Sequence, residues 1–505
     1  MTRADRLVPV VGLVSLVVYT LHGFEGALTR DLGVYSYAGQ QVAEGVPPYL
    51  GILNRAGPLA HALPGIGVLF ARLGGWDDVM TMRVMFMLIA TAAVCLTYVL
   101  GRDLFRSRAA GVVSASMMLA FHGFIEYASN GPREKTPMTL FIICALWALT
   151  RQRWFAAGLC TALATLCLQT ALFSTLAAVV VGALLAARGH RVRALARIAL
   201  GGLVPVVVLG TWFALVGSLP AAIDGFYLIN SRYTVPRPMT DNLTGVWQDL
   251  RAAYGLTVWL LATGIVSLVL CSCAVMSRRA RENDPALPTL AAMTVGLLAG
   301  LAWTLRDYDA WPDLFPILPF AAIGLAAGFA LVARRLTPRG GHVLAAMLSG
   351  TAVVLALVYA VSTRDATLEL QRQATRRVLA QLPPGASITS IEAPQPLVLT
   401  RRTNPTRHQM FRSGLQDYLE DTWPGGRAGF ERDLVADRPD LVAVGETVSQ
   451  RWRASIQPDY VYVGSAPMWD WYARASLGPS TITRLRSAAG YDPSAPPALP
   501  QGQPE

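Results

Sequence analysis

Charge is scarce in this sequence: Asp, Glu, Lys and Arg make up 15% of its 505 residues, against 53% hydrophobic. So apolar and so long a chain is not one soluble core, and its repeated apolar runs near the length that crosses hydrocarbon make it a multi-pass membrane protein. Lysine is almost missing, Lys135 standing alone among 43 basic residues. A formal net charge of +11 would suit nucleic acid, but the arginines fall in short clusters between apolar runs. The positive-inside rule puts them there, so no nucleic-acid partner is expected. The six cysteines, Cys95, Cys144, Cys160, Cys167, Cys271 and Cys273, all lie inside apolar runs. None is placed for an extracellular disulfide or for a zinc site with loop histidines, and they read as small core hydrophobes. No small-residue cleavage site separates the first apolar run from the charged stretch at Glu25 to Asp31, so that run is expected to stay as a span. No nucleotide-binding glycine loop opens a strand-to-helix unit, and no internal repeat is apparent.

What is present is a succession of apolar runs, at 7–24, 79–100, 109–125, 137–150, 154–168, 170–187, 196–217, 254–276, 287–305, 313–333 and 342–362. These give eleven expected transmembrane helices in an all-α polytopic bundle. The runs at 137–150 and on either side of Gln169 are short for full spans, which is tolerable where neighbouring helices cover the ends. The piece from Leu59 to Leu73 is also apolar, but it is short and holds His61, Pro64 and Gly65. Charge decides how to treat it. If it lies in the interface and the amino terminus is cytoplasmic, the clusters Arg102–Arg108, Arg151–Arg153, Arg188–Arg197, Arg278–Arg281 and Arg334–Arg339 all face inward. If it crossed, all of them would face outward. The opposite, extracytoplasmic side then collects the loops 25–78, 126–136, 218–253 and 306–312 and everything after Ser362.

Hydropathy collapses after Arg364, and helix and strand patterns alternate: a helix near 364–382, a strand at 386–393, a helix near 428–437, and strands at 440–445 and 459–464. Pro383-Pro384-Gly385 and Pro424-Gly425-Gly426 mark turns, and the alternation predicts a small α/β layer outside the membrane. Its aromatics Trp469, Trp471 and Tyr472 suit either a core or a sugar platform. The expected division is a transmembrane domain over 1–363, a soluble domain over 364–491, and a disordered proline-rich tail over 492–505.

The middles of the apolar runs hold almost no ionisable group, which argues against a proton- or ion-coupled transporter. The charges gather instead in the outer loops. The first carries Asp31, Tyr35, Tyr37, Glu44 and Arg55, and the second Glu126, Arg133, Glu134 and Lys135. The third carries Arg232 and Tyr233, and the fourth Arg306, Asp307, Asp309 and Asp313. Taken singly, these residues also suit ordinary loop charges and interfacial snorkels. Together, an acid and several cations at a membrane surface suit transfer from a lipid phosphate. A carboxylate deprotonates an incoming hydroxyl, while guanidinium or ammonium groups neutralise the departing phosphate.

Asp31 soon after the first run, the following Tyr-Ser-Tyr-Ala-Gly-Gln-Gln, the Glu-Gly-Val-Pro-Pro-Tyr turn and the Gly-Pro-Leu that opens the interfacial piece resemble the first outer loop of GT-C glycosyltransferases. That group includes the protein O-mannosyltransferases, the aminoarabinose transferases of lipid A and the lipopolysaccharide galacturonosyltransferases. Gly-Pro-Arg-Glu-Lys-Thr-Pro-Met and Tyr-Asp-Ala-Trp-Pro-Asp-Leu-Phe-Pro further resemble prokaryotic dolichyl-phosphate-mannose mannosyltransferases. The resemblance implies a plasma-membrane enzyme that takes a sugar, mannose favoured, from a polyprenyl-phosphate donor. The acceptor would be a glycan, a protein or a lipid-linked molecule. It maps the general base onto Asp31 and demands neither a metal nor a cofactor. The family commonly has a donor-phosphate cation directly before the Pro-Leu, whereas here Ala56 precedes Gly57-Pro58-Leu59 and the nearest cation is Arg55. Either Arg55 reaches the phosphate or Arg133 and Lys135 hold it, with Arg306 as a further candidate. Tyr35, Tyr37, Glu44, Glu126, Glu134, Arg232, Tyr233, Asp307 and Asp309 are the expected substrate contacts. The rival reading is a non-catalytic flippase for lipid-linked sugars or a glycan-assembly protein.

Overall fold

The structure is a computed structural model that describes residues 5–186, 188–277, 284–446, 448–457 and 459–492. The arginine cluster at 278–281 and the tail from 493 onward lie outside the described residues.

Each apolar run folds as a helix, because a segment without water must satisfy its backbone internally. They are Leu7–His22, Asp78–Phe105, Arg108–Ala120 with His122–Asn130, Lys135–Thr150, Trp154–Cys167, Ala171–Leu185, Arg191–Leu215, Thr257–Cys273, Leu287–Arg306, Leu318–Ala333 and Pro338–Ser362. The third is bent by 71° at Phe121, whose extended backbone separates the two halves. Among the described residues, six helices are long and apolar enough to cross a membrane, seven if the bent pair is one span. Length therefore does not by itself support eleven crossings. The helices Leu7–His22, Lys135–Thr150, Trp154–Cys167 and Ala171–Leu185 have only 14–16 residues, about 21–24 Å against a hydrocarbon core of about 30 Å. The chain is a multi-pass membrane protein all the same, with a mostly helical architecture.

Contacts gather the chain into two units. One comprises Met1–Phe24, Arg83–Trp212 and Pro236–Arg364 and holds most of the apolar helices. Small residues let its helices touch backbone to backbone: a Cβ added at Gly324 would land on the carbonyl oxygen of Gly264 in the neighbouring helix.

The other unit comprises Glu25–Met82, Phe213–Val235 and Asp365–Glu505. Its first helix, Arg30–Ala43, starts at Thr29, whose hydroxyl accepts from Leu32 N at 3.3 Å, and carries Asp31 in its first turn, where the helix dipole favours an anion. The expected interfacial piece is the helix Leu59–Gly74, stopped by Gly75 in the left-handed conformation (φ 69°).

The carboxy-terminal part is the small α/β layer that alternation predicts. Strands β1 (Ile388–Ile391), β2 (Leu441–Gly445), β3 (Tyr460–Ala466) and β4 (Trp469–Arg474) form one sheet in the order β1-β2-β4-β3. β1 and β2 are parallel, pairing Ile388 with Leu441, and helix Gly426–Ala436 lies in the connection between them. β4 runs antiparallel to both β2 and β3. Periodicity misses β4 because its hairpin turns through Pro467-Met468, with Met468 at φ 82°, and lacks the usual Asn-Gly or Asp-Gly signal. It also misses the short helices Gln395–Thr400, Leu415–Thr422, Gln450–Ile456 and Pro479–Ala489. Trp469, Trp471 and Tyr472 are buried with at most 1% exposure, which makes them core and not a sugar platform.

Candidate active site

In the unit that contains the first outer loop, Asp31 is half-buried, its side chain 39% exposed. Arg30 grips its Oδ1 through Nε at 3.0 Å and Nη2 at 3.0 Å. The same guanidinium donates through Nη1 to Glu392 Oε2 at 3.0 Å. Glu392 follows β1 and is only 3% exposed. Its Oε1 accepts from the backbone amides of Phe411 at 2.5 Å and Arg412 at 3.0 Å. A buried carboxylate is tolerable only with such partners, so Glu392 is a fixed anchor for Arg30, and Arg30 in turn fixes Asp31.

The other residues that the sequence singles out in this unit fall into separate contacts. Arg55 donates to Thr234 Oγ1 at 3.0 Å, and its carbonyl accepts from Asn230 Nδ2 at 3.0 Å, which joins it to the π-helix Asp224–Tyr233. Arg232 on that helix is exposed. Tyr233 donates its hydroxyl to Asp421 at 3.0 Å and meets Tyr418 edge-on. Tyr35 packs against Ala56 and Ala60. Tyr37 is fully buried, its hydroxyl oxygen accepts from Asn404 N at 2.8 Å, and burial pushes its pKa up to about 12. Tyr37 therefore acts as a neutral structural contact. Glu44 pairs with Arg72 at 3.0 Å.

In the unit that holds most of the apolar helices, the second and fourth loops meet. Lys135 donates to Asp313 Oδ1 at 2.8 Å, and Asp313 Oδ2 accepts from the backbone of Asp309 at 2.8 Å and Ala310 at 3.3 Å. The lysine is thus held by an acid that its own turn has fixed. Arg133 and Glu134 are both buried, with Nε and Oε2 3.3 Å apart. The Arg133 guanidinium lies 5.0 Å from the Tyr127 ring, which also contacts Trp311 and Phe315. Tyr359 donates to Glu126 at 3.5 Å. Arg306 is exposed beside Trp303. Asp307 and Asp309 engage Arg237 instead, at its amide (3.2 Å) and its guanidinium (2.6 Å).

Sequence reasoning misses Arg30, Glu392 and Asp249. Adjacency to Asp31 is a signal for Arg30, whereas nothing local marks Glu392. Asp249 is likewise unmarked, although it accepts from Tyr308 Oη and Trp311 N, both at 2.6 Å, and so shapes the turn before Asp313. No group of three or more His, Cys, Asp or Glu residues arranged for a metal occurs among the described residues.

No family model matches the sequence, and no curated protein matches it. Solved structures do match. The crystal structure of ArnT from Cupriavidus metallidurans bound to undecaprenyl phosphate aligns with a TM-score of 0.64 at 13% identity, over 94% of this chain and 100% of that one. The apo structure of the same protein aligns with a TM-score of 0.61 at 14% identity, over 96% and 99%. The chain therefore shares the fold of these ArnT structures over nearly its whole length.

Proposed function

We propose that the chain is an integral membrane glycosyltransferase that moves a sugar, with mannose as the favoured one, from a polyprenyl-phosphate donor to an acceptor hydroxyl on the outer face of the plasma membrane. The observation that carries this reading is the half-exposed carboxylate of Asp31, oriented by Arg30 at the start of the first helix after the amino-terminal apolar one, in a chain with this fold. The similar ArnT was crystallised with undecaprenyl phosphate, which favours a polyprenyl-phosphate donor here.

Asp31 takes the proton of the acceptor hydroxyl. The oxygen attacks the anomeric carbon from the face opposite the phosphate, and the bond from that carbon to the phosphate oxygen breaks with inversion. The phosphate leaves with the bonding electron pair. Arg55, Arg133 and Lys135 neutralise it, and Arg306 is a further candidate. The Asp313 contact holds the Lys135 ammonium in one orientation, so less ordering is needed when the phosphate departs.

The test is glycoside formation by the purified chain in detergent with polyprenyl-phosphate mannose and a glycan acceptor. The wild type forms product, and Asp31→Asn loses about 10² to 10⁴ in rate with expression intact. Undiminished transfer by Asp31→Asn removes Asp31 from the mechanism. Absence of any glycoside with mannose, arabinose, galactose or glucose donors returns the chain to the carrier or assembly reading.

A further inference from the structure

The helix Leu59–Gly74 has two unlike faces. Ala60, His61, Pro64, Val68 and Ala71 are buried, while Ile66, Leu69, Phe70 and Leu73 are exposed, Leu73 by 84%. Those exposed positions follow the i, i+3, i+4, i+7 spacing of one helix face, and Trp76 just beyond the helix extends them at 63% exposure. An apolar stripe that ends in a tryptophan belongs in the headgroup region of a bilayer.

Immediately after Trp76, the chain enters a cavity of about 90 Å³ lined by Gln40, Asp77, Asp78, Arg372, Arg376 and Arg401 among others. Its volume is several times the roughly 10–15 Å³ that admits a single water. Arg372 donates to Asp77 at 2.8 Å, and Arg401 donates to Asp78 at 2.9 Å. Asp78 is buried and also accepts from the Gln40 amide at 3.0 Å. Arg376 lies one turn after Arg372 on the helix Thr367–Leu379, and no ion pair joins it to an acid among the described residues. Three guanidinium groups therefore meet two carboxylates around the cavity, and each pairing engages its arginine through Nη2 only. A guanidinium has five N–H donors, so donors and one positive charge are left over for an anion.

We infer that this cavity binds the phosphate headgroup of an anionic glycerophospholipid, whose acyl chains lie along Phe70, Leu73 and Trp76. The occupant is argued from charge complementarity together with the adjoining apolar stripe: a soluble anion would leave the stripe uncovered, and a zwitterionic lipid would bring its own ammonium against the arginines. The inference does not rest on the proposed transfer reaction.

The test is binding of dioleoylphosphatidylglycerol to the full chain in detergent, followed by the lipid-dependent rise in melting temperature. Dioleoylphosphatidylcholine and inorganic phosphate are run as separate arms. The expected result is a saturable rise with phosphatidylglycerol alone, weakened about tenfold in midpoint by Arg376→Gln. Leu73→Gln weakens it as well. Because Arg376 makes no ion pair among the described residues, Arg376→Gln without lipid melts as the wild type does. Equal response of wild type and Arg376→Gln to phosphatidylglycerol overturns the inference. So does an equal effect of phosphatidylcholine, or saturation by inorganic phosphate alone.

Discussion

Glu392→Gln isolates what the buried acid does for the proposed base. In the native chain Oε1 serves two backbone amides and Oε2 serves Arg30. A glutamine can keep its oxygen on the amides of Phe411 and Arg412, but its NH2 then faces the Arg30 N–H, donor against donor. One charge-assisted hydrogen bond is lost, a loss of about 1.5–3 kcal/mol for a buried pair. Arg30 is 31% exposed, so water recovers part of it and about 1 kcal/mol remains. The electrostatic consequence reaches Asp31. A guanidinium that is no longer shared with Glu392 stabilises the Asp31 carboxylate more strongly and makes it a weaker base. The acid limb of kcat/KM against pH therefore moves to lower pH, and the plateau rate falls. Arg30→Gln removes the cation and moves the same limb to higher pH. In Arg30→Gln with Glu392→Gln, the second change should add nothing to the first, since its effect runs through Arg30. The assay is glycoside formation from pH 4 to 9 for the four proteins, with melting temperatures alongside. A Glu392→Gln shift that survives in the Arg30→Gln background refutes the reasoning, as does a lowered melting temperature with an unmoved limb.

Two further outcomes concern stability. Arg453 and Asp470 pair with 1% exposure each, and Arg453 also donates to Gly445 O at 3.1 Å. Asp470→Asn leaves a buried guanidinium without its counter-ion and should cost about 3–5 kcal/mol; limited proteolysis of the full chain should cut first after residue 365, and an unchanged cleavage rate rejects this. His408 is 6% exposed, and burial, aided by the charge of Arg407, lowers its pKa to about 4. The unfolded chain takes up this proton below about 6.5, the folded chain only near 4, so stability is full above 6.5 and falls by up to about 3 kcal/mol as pH drops through that window. Melting curves at pH 7 and 4.5 should converge in His408→Gln; an identical pH dependence in variant and wild type contradicts the assignment.

Much of the architecture is legible in the order of residues. The apolar runs mark the helices, the drop in hydropathy after Arg364 marks the α/β layer, and Asp31 after the first run marks a candidate base. These signals are local: whether a stretch of about 20 residues prefers hydrocarbon, or repeats with period 2 or 3.6, depends only on the side chains within it. The span count is not set locally, because a helix of 14 residues such as Trp154–Cys167 depends on what neighbouring helices cover at its ends. The pairings around the candidate site lie beyond any local pattern. Arg30 meets Glu392 across 362 positions, Arg55 meets Thr234 across 179, and Lys135 meets Asp313 across 178. Tyr37 reads like a substrate contact and is a buried structural one, while Trp469 and Trp471, which suit either a core or a sugar platform, are core. A polar or aromatic side chain can be satisfied by water, a substrate or a distant residue at comparable free energy, and only the folded chain decides which of these is within reach.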